Sequence, residues 1–258
     1  MGTEGDTFFI AHLTWNEVAR RIAAGNPAIL PIGAAAKQHG FHLPLNTDQV
    51  QAEWFAAKLA ARIDALIWPA VTYGHYPAFV AYSGSASLSS STFEAMVQEI
   101  AAGILRHGCE LLFVLNTGIS TLAPVERALE QLGSRKVSHL RIYDGPRYRH
   151  VREELCQQSH GSHADELETS LMLALAPGLV DMARAEASPA VPRDTPGRLT
   201  PTNPASPNYS RSGSYGDPTL ATLAKGEALL SAILDDLHEQ VDALLLEKAR
   251  ASPARAKR

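Results

Sequence analysis

Short apolar runs recur along the chain, and segments with helical spacing separate them. The runs lie at 27–32, 65–71, 111–115 and 137–143. Runs of this length with few polar positions are typical of strands covered on both faces, as in a parallel sheet. We therefore predict a strand at each of these four positions.

Helical patterns fill the intervals between the runs. The predicted helices lie over 14–25, 47–63, 91–106, 121–132, 148–158, 165–175 and 219–248. Capping-box spacing marks two of their starts, at Thr14 with Glu17 and at Ser91 with Glu94. Alternating strands and helices predict a three-layer α/β/α fold with a mainly parallel sheet, whose ligands bind at the carboxyl ends of the strands.

Composition and charge narrow the class of protein. The 258 residues carry 23 basic and 27 acidic side chains, and this net charge of -4 argues against a nucleic-acid partner. We predict a single domain over 1–258, with a proline-rich excursion at about 183–218 and a basic tail at 251–258. No apolar run approaches the roughly 18 residues of a membrane-spanning helix, so no membrane partner is expected. The two cysteines and the polar residues 1–7, which lack signal-peptide character, predict a cytoplasmic protein.

The loop after the first predicted strand holds the densest group of reactive side chains. Lys37, His39, His42 and Asp48 lie within twelve residues of one another. Histidine and aspartate are natural ligands of divalent transition metals. A loop of hydrogen-bonded polar groups, with Asp48 as a helix cap, is the alternative that the spacing leaves open.

A second group lies at the start of the helix predicted over 165–175. His163 precedes three carboxylates, Asp165, Glu166 and Glu168. A histidine beside a carboxylate can act as a general acid or base. Acidic residues are also favoured at the positive end of a helix, so capping is the alternative interpretation.

Three stretches of the chain together match a known family. The first runs from Lys37 to Asp48 and contains Gln-His-Gly, His-Leu-Pro-Leu and Thr-Asp. The second, from His163 to Pro177, contains His-Ala and then Glu-Thr-Ser-Leu-Met-Leu-Ala-Leu. The third lies over 212–227 and contains Gly-Asp-Pro and Lys-Gly-Glu. On these motifs the chain resembles, from 29 to about 241, the creatininase family of creatinine amidohydrolase-like metal hydrolases.

The resemblance implies both a chemistry and an assembly. Its members hold two divalent ions, zinc or manganese, and a metal-bound hydroxide attacks an amide carbon. Carried over to this chain, it makes His39 a ligand, Asp48 the bridge between the ions, and His163 the group that moves protons. It also implies a homo-oligomer, a hexamer, or else a hetero-oligomer with an active paralogue.

The chain departs from the family pattern at three of the five expected metal ligands. Lys37 stands where a glutamate belongs, Gly118 where a histidine belongs, and Ser120 where an acidic ligand belongs. An ammonium about 4 Å from a cation is repelled by ~4 kcal/mol at an effective dielectric of 20, so we interpret Lys37 as a replacement for the ion, paired with Asp48. We therefore expect no cofactor. The alternative is one divalent ion, zinc or manganese, on His39 and Asp48, completed by one of Glu166, His42 and His163.

Two functions remain open at this point, beside a third, an ordinary metal amidohydrolase with a rebuilt site, which would need ligands that the sequence does not identify. In the first, the protein is a divergent hydrolase of a small amide or cyclic C–N compound. Lys37 then polarises a carbonyl, His163 is the general acid/base, and Ser120 positions a water. Candidate substrate-binding residues are Asn116, Glu166 and His75, although His75 also fits a solvated loop. In the second, the protein is non-catalytic and serves as a ligand-binding or partner subunit.

Overall fold

A computed structural model describes residues 8–188 and 198–251 of the chain. The polar residues 1–7, the prolines of segment 189–197 and nearly all of the predicted basic tail lie outside the described residues. The single domain over 1–258 stays a prediction.

The centre of the fold is a parallel sheet of four strands. They are β1 (Ala28–Ile32), β2 (Leu66–Ile67), β3 (Leu112–Asn116) and β4 (Val137–Arg141). Their order across the sheet is β2-β1-β3-β4, and β1 pairs with both β2 and β3. In this register Ile29 lies beside Ile67 on one side and Phe113 on the other. All four predicted strands are therefore present and parallel.

Strand β2 is shorter than the predicted run over 65–71. Only Leu66–Ile67 form the ladder, and a single further bridge joins Val71 to Ile32. The N–H groups of Trp68 and Val71, three residues apart, donate to the carbonyls of Ile29 and Pro31, which are two residues apart. One extra residue therefore bulges out of the ladder between Trp68 and Val71, at Pro69 and Ala70.

Helices cover both faces of the sheet. They are α1 (Trp15–Ala23), α2 (Thr47–Ile63), α3 (Ser90–Arg106), α4 (Leu122–Leu132), α5 (Pro146–Leu155), α6 (Glu166–Leu175) and α7 (Leu223–Ala251). On one face, Ile29 and Phe113 pack with Phe55 and with side chains of α6 and α7. On the other face, Leu30 packs with Phe93 and with side chains of α4. These two cores confirm the predicted three layers. No helix within the described residues is long and apolar enough to span a bilayer.

Hydrogen bonds at the helix starts confirm the predicted cap of α1 and place the cap of α3 at a different residue. The Thr14 N–H donates to Glu17 Oε2 at 2.8 Å, and the reciprocal contact completes the predicted capping box of α1. The prediction for α3 was wrong by two residues. Its cap is Ser89, which accepts the N–H of Thr92 at 3.1 Å, whereas Ser91 lies inside the first turn.

The strand order places a crevice at one edge of the sheet. The chain leaves β1 toward β2 and then crosses back to β3, so the loops after β1 and β3 diverge at the carboxyl ends of neighbouring strands. Gly33 directly follows β1. A side chain does not fit at this position, because a Cβ would lie 2.2 Å from the carbonyl oxygen of Asp48. The missing side chain lets the first turn of α2 sit directly against the strand, which fixes the position of Asp48.

The described part of the proline-rich excursion lies over the loop that follows β2. The Leu199 N–H donates to the carbonyl of Ala78 at 2.9 Å, and the Tyr82 hydroxyl donates to the carbonyl of Ser210 at 2.6 Å. The predicted extended excursion is therefore draped over this loop rather than free of the domain, and together they form a cover over the carboxyl edge of the sheet.

Candidate functional site

A buried ion pair lies at the carboxyl end of β1. Lys37 comes from the loop after β1, and Asp48 comes from the first turn of α2. Lys37 Nζ lies 2.7 Å from Asp48 Oδ2, and the two side chains are 6% and 3% exposed. His39 Nε2 lies 3.0 Å from the other carboxylate oxygen, Oδ1. The carboxylate of Asp48 is therefore held by one cationic or hydrogen-bonding group on each oxygen.

The partners of Asp48 determine its charge. Burial alone would raise the pKa of Asp48, but the positive charge of Lys37, the charge of His39 and the hydrogen bonds from both residues outweigh it. The pKa of Asp48 is held well below its usual range, so the group is a carboxylate at every physiological pH.

Lys37 keeps hydrogen-bonding capacity beyond its ion pair. An ammonium has three N–H donors, and Asp48 is the one oxygen partner of this ammonium among the described residues. The face of the Phe79 ring covers the group, with Nζ 5.3 Å from the ring centroid. Two donors of a buried cation are thus left for a group that enters the site.

Both ring nitrogens of His39 face oxygen acceptors. Nδ1 lies 2.9 Å from the carbonyl of Lys37, while Nε2 faces Asp48 and lies 3.8 Å from Glu168 Oε1. The His39 ring is therefore held between the carbonyl of Lys37 and the carboxylates of Asp48 and Glu168.

His163 is held in one orientation with one nitrogen free. Its Nε2 lies 2.8 Å from the carbonyl of Gln38 and donates to it, which leaves the lone pair on Nδ1 facing Glu168 Oε2 at 3.7 Å. Burial, followed by the charge of Lys37, lowers the pKa of His163 well below its usual value. The ring is therefore neutral and can accept a proton at Nδ1.

Glu168 completes the cluster and was not chosen from the sequence. Its Oε2 accepts the N–H of Ala164 at 2.6 Å, and its two oxygens face His39 and His163. Burial raises the pKa of this carboxyl. Ala164 adopts a left-handed conformation with φ of 46°, which is uncommon for a residue with a side chain. The sequence indicated Glu168 only as one of three carboxylates after His163 and as the first residue of the Glu-Thr-Ser-Leu stretch.

Glu166, the acid that the sequence favoured, lies apart from this cluster. Its fully buried carboxylate accepts the N–H groups of Gln157 and Gln158 at 2.9 and 2.7 Å and pairs with Lys225 at 2.5 Å. These contacts join α6 to α7 and to the loop before α6. Nearby Asp165 caps α6 by accepting two backbone N–H groups at 3.0 Å. Substrate binding by Glu166 stays a prediction, and its carboxylate already has several partners.

Asn116 shapes the turn after β3. Its Oδ1 accepts the N–H of Gly118 at 3.1 Å and the hydroxyl of Thr121 at 2.9 Å, and its Nδ2 donates to the carbonyl of Gly118 at 3.3 Å. The structure therefore gives Asn116 a local partner for each end of its amide. Its predicted contact with substrate remains untested.

The two other loop histidines make separate contacts. His75 Nδ1 lies 3.0 Å from the carbonyl of Leu88, in the loop after β2. His42 Nε2 lies 2.8 Å from the hydroxyl of Thr169, and burial lowers the pKa of His42 to about 4. Neither residue contacts Lys37 among the described residues.

Ser120 lies on the other side of Asp48, beside a small cavity. Its lining includes Gly33, Asp48, Tyr76, Gly118 and Ser120. The cavity volume is about 10 Å³, which is space for about one water molecule. Asp48 thus joins two parts of the site, the charged cluster and this cavity. Ser120 makes no contact with Lys37 or His163 within the part of the chain that the structure describes.

The chain matches the family model Creatininase, described as creatinine amidohydrolase, over residues 11–241. It belongs to the creatininase family. A creatinine amidohydrolase of Pseudomonas putida is 28% identical over 258 residues, covering 90% of this chain and 95% of the relative. A mycofactocin precursor peptide peptidase of Mycobacterium tuberculosis is 28% identical over 226 residues and covers 83% of each chain.

Solved creatininase structures have the same fold. A mutant creatininase superimposes with a TM-score of 0.78 at 28% identity, covering 93% of this chain and 98% of the other. A creatininase described with manganese gives a TM-score of 0.74 at 27% identity, covering 91% and 97%. Another is described as a zinc–zinc type, so solved creatininases are known with both metals.

The residues of this creatininase-family chain do not fit a dinuclear centre. The ammonium of Lys37 lies against Asp48 Oδ2, where a bridging carboxylate would bind an ion. Gly118 has no side chain, and a hydroxyl at Ser120 is a weak substitute for a carboxylate. At the ligand positions that the resemblance implies, two ions would meet the ammonium of Lys37, a glycine without a side chain and a weakly binding hydroxyl.

A donor set for one ion does exist, and it differs from the predicted pair of His39 and Asp48. The ligand atoms of His39, His163 and Glu168 lie within 4.8 Å of one another. Two histidines and a glutamate are a known ligand set of catalytic zinc. A divalent ion would have to displace the His39 contact with Asp48, because that contact uses the same nitrogen.

Proposed function

We propose that this creatininase-family protein hydrolyses a C–N bond in a small amide or cyclic amide-like compound, with Lys37 supplying the positive charge at the reacting carbonyl. Membership of the family supports the reaction class, since the names of its relatives, an amidohydrolase and a peptidase, describe amide cleavage. The proposal differs from the metal chemistry of the family in the origin of the charge.

The observation that carries the proposal is the buried ammonium of Lys37 with unused donors. It lies 2.7 Å from Asp48 and keeps two N–H groups without an oxygen acceptor in the described chain. A fixed cation in a water-poor site stabilises the negative charge that develops on a carbonyl oxygen during attack.

His163 and Glu168 form the proton-transfer pair of the proposed reaction. The oxygen of a water, positioned by Ser120, bonds to the amide carbon. The proton it loses passes by way of the Asp48 carboxylate, which joins the cavity to the charged cluster, to His163 Nδ1. The C–N bond then breaks, and His163 returns the proton to the departing nitrogen. Glu168 Oε2, 3.7 Å from Nδ1, stabilises the transient imidazolium, while the Gln38 carbonyl keeps the ring oriented.

Substrate reaches these groups from the side of the loop after β2. Phe79 belongs to a short 3-10 helix over Pro77–Phe79, and its ring lies 4.2 Å from the His163 ring and over Lys37. Substrate binding therefore displaces Phe79. Tyr73 and Ile119, about half exposed near the mouth of the crevice, give a small substrate an apolar surface.

The first test is turnover of a panel of small amides and lactams by protein freed of metal with a chelator. Lys37→Ala should lower kcat/KM by about 10²–10³-fold, as the loss of one stabilising donor does in other hydrolases. Lys58→Ala, which removes an exposed lysine from α2, should change nothing. Lys37→Ala leaves the buried carboxylate of Asp48 without its cation, which destabilises the fold. The Lys37→Met/Asp48→Asn double variant removes both charges of the pair, so the loss of activity can be measured without a buried unpaired charge.

The same experiment contains the result that would reject the proposal. Turnover that disappears with the chelator and returns with zinc would favour the second candidate, a single-ion hydrolase on His39, His163 and Glu168. Elemental analysis would then find one ion per chain, lost in Glu168→Gln. No turnover in either state would favour the non-catalytic alternative, a ligand-binding or partner subunit. The predicted homo-oligomer or hetero-oligomer stays a prediction, to be measured by light scattering.

A further inference from the structure

The cavity beside Asp48 is lined in part by residues with small side chains or none. Gly118 and Ser120 both line it, on the turn that follows β3. Its volume of about 10 Å³ matches one water molecule. A pocket of this size next to a carboxylate is therefore large enough for a bound water.

Tyr76 brings an unused polar group to this cavity. The residue is 1% exposed, and its hydroxyl has no hydrogen-bond partner of normal geometry within the described residues. Burial and, to a smaller extent, the charge of Asp48 raise the pKa of Tyr76 to about 12 against a hydrogen bond from the Gly74 backbone that lowers it, so the phenol keeps its proton. That backbone contact leaves the hydroxyl proton without an acceptor among the described residues. A buried donor without an acceptor is unfavourable, and a bound water commonly supplies one.

We propose that Tyr76 is a positioning residue, and that its hydroxyl donates a hydrogen bond to a water held in this cavity between Asp48 and Ser120. This water is the one that attacks the amide carbon. The inference rests on the proposed function for its catalytic part, whereas the presence of the water stands on the cavity alone. An internal water requires two to four polar partners, and Tyr76, Asp48 and Ser120 supply them.

The role assigned to Tyr76 follows from the charges around the cavity. Asp48 is a carboxylate, so it accepts a hydrogen from the water rather than donating one. Tyr76, with its proton retained, supplies a donor to the water oxygen. The water is thereby oriented from two sides, and Gly118, which has no side chain, leaves room for it in the cavity.

The test compares two buried tyrosines that pack in the same small apolar core. Tyr76→Phe removes a hydroxyl whose proton has no acceptor in the described chain, and Tyr82→Phe removes one that donates to the Ser210 carbonyl at 2.6 Å. High-resolution crystal structures of the wild type and of Tyr76→Phe report the water directly. We expect one peak in the wild-type cavity, bonded to Tyr76, that is absent from the variant. We expect Tyr82→Phe to keep the peak while its melting temperature falls.

Kinetics separate positioning from a structural role. Tyr76→Phe should lower kcat by about tenfold with KM nearly unchanged, and Tyr82→Phe should leave kcat unchanged. A wild-type cavity without a water peak would show that no water binds there. A clear rise in the melting temperature of Tyr76→Phe would contradict the bound water as well, because removing a buried hydroxyl stabilises the protein when that hydroxyl has no hydrogen-bond partner. A water peak with unchanged kcat in Tyr76→Phe would overturn the catalytic role. If no substrate is found, the proposed function fails, and the density still decides the water.

Discussion

The position of some site residues could be predicted from the sequence, and that of others could not. The ion pair of Lys37 with Asp48 follows from replacing a ligand by a cation, and the structure places the two groups 2.7 Å apart. The choice between Glu166 and Glu168 could not be made in that way. Residues two apart on a helix point to nearly opposite sides, and the left-handed Ala164 sets which side faces His163.

His139 on β4 makes the protein less stable in acid. Neither ring nitrogen has a hydrogen-bond partner in the described chain, and burial, helped by Arg141, lowers the pKa of His139 to about 4. The unfolded chain, with a pKa near 6.5, binds the proton first, so stability falls as pH falls from about 6.5 to 4. His139→Phe should remove at most about 3 kcal/mol of that loss.

Urea unfolding at pH 4.5 and 7.5 measures the effect of His139→Phe. The matched control is His150→Gln, which changes a largely exposed histidine on α5 and should leave the pH dependence as in the wild type. An identical loss of stability in His139→Phe and wild type would show that His139 is already charged, or solvated, in the folded protein.

At the scale of elements, apolar runs and helical spacing located every strand and helix of the sheet layers. The misjudged boundaries have local causes that pattern alone does not carry. An extra residue between Trp68 and Val71 bulges out of the ladder of β2, and Ser89 supplies the cap of α3 ahead of the expected Ser91. The sequence also did not predict how closely the helices pack, because that distance depends on which glycine or other small residue lies against the backbone of a neighbouring helix.

Gly226 of α7 lies directly against the backbone of α6. A Cβ on Gly226 would lie 1.9 Å from the carbonyl oxygen of Ser170, so the two helices must separate to accept a side chain. Gly226→Ala should lower the free energy of unfolding by about 1–3 kcal/mol. In Gly103→Ala, where a Cβ meets nothing within 4 Å, the same change in α3 should stabilise by roughly 0.5–1 kcal/mol. Thermal unfolding of both variants compares packing with helix propensity, and equal effects would contradict the close approach.

At the scale of the whole molecule, the strand order decides where the chemistry gathers. Sequence indicated the loops after β1 and β3 separately, and the order β2-β1-β3-β4 makes their strands neighbours. Lys37 therefore shares one edge of the sheet with Gly118 and Ser120, although more than 80 residues separate them in the chain. The order itself was not predicted, because alternating elements are compatible with several arrangements of a parallel sheet.

This arrangement predicts that a two-metal centre can be built by three substitutions. The combination Lys37→Glu, Gly118→His and Ser120→Glu places the ligands that the resemblance implies on loops that already meet, with His39 and Asp48 in place. We expect close to two zinc or manganese ions per chain by elemental analysis, against none or one in the wild type. Lys37→Glu alone should bind poorly and unfold more easily, because it sets a further carboxylate beside Asp48 and Glu168 without an ion between them.

Thr121 is the obstacle to building this centre. A Cβ on residue 118 would lie 2.7 Å from the Thr121 hydroxyl, which must rotate and give up its hydrogen bonds to Asn116 and Gly118. The triple variant should therefore be less stable than the wild type without metal and recover with zinc, since an ion that binds only the folded state stabilises it. A folded triple variant that binds no more metal than the wild type would mean that the turn after β3 has diverged beyond its side chains. Adding Thr121→Ala, which removes the clash, separates that outcome from simple steric exclusion.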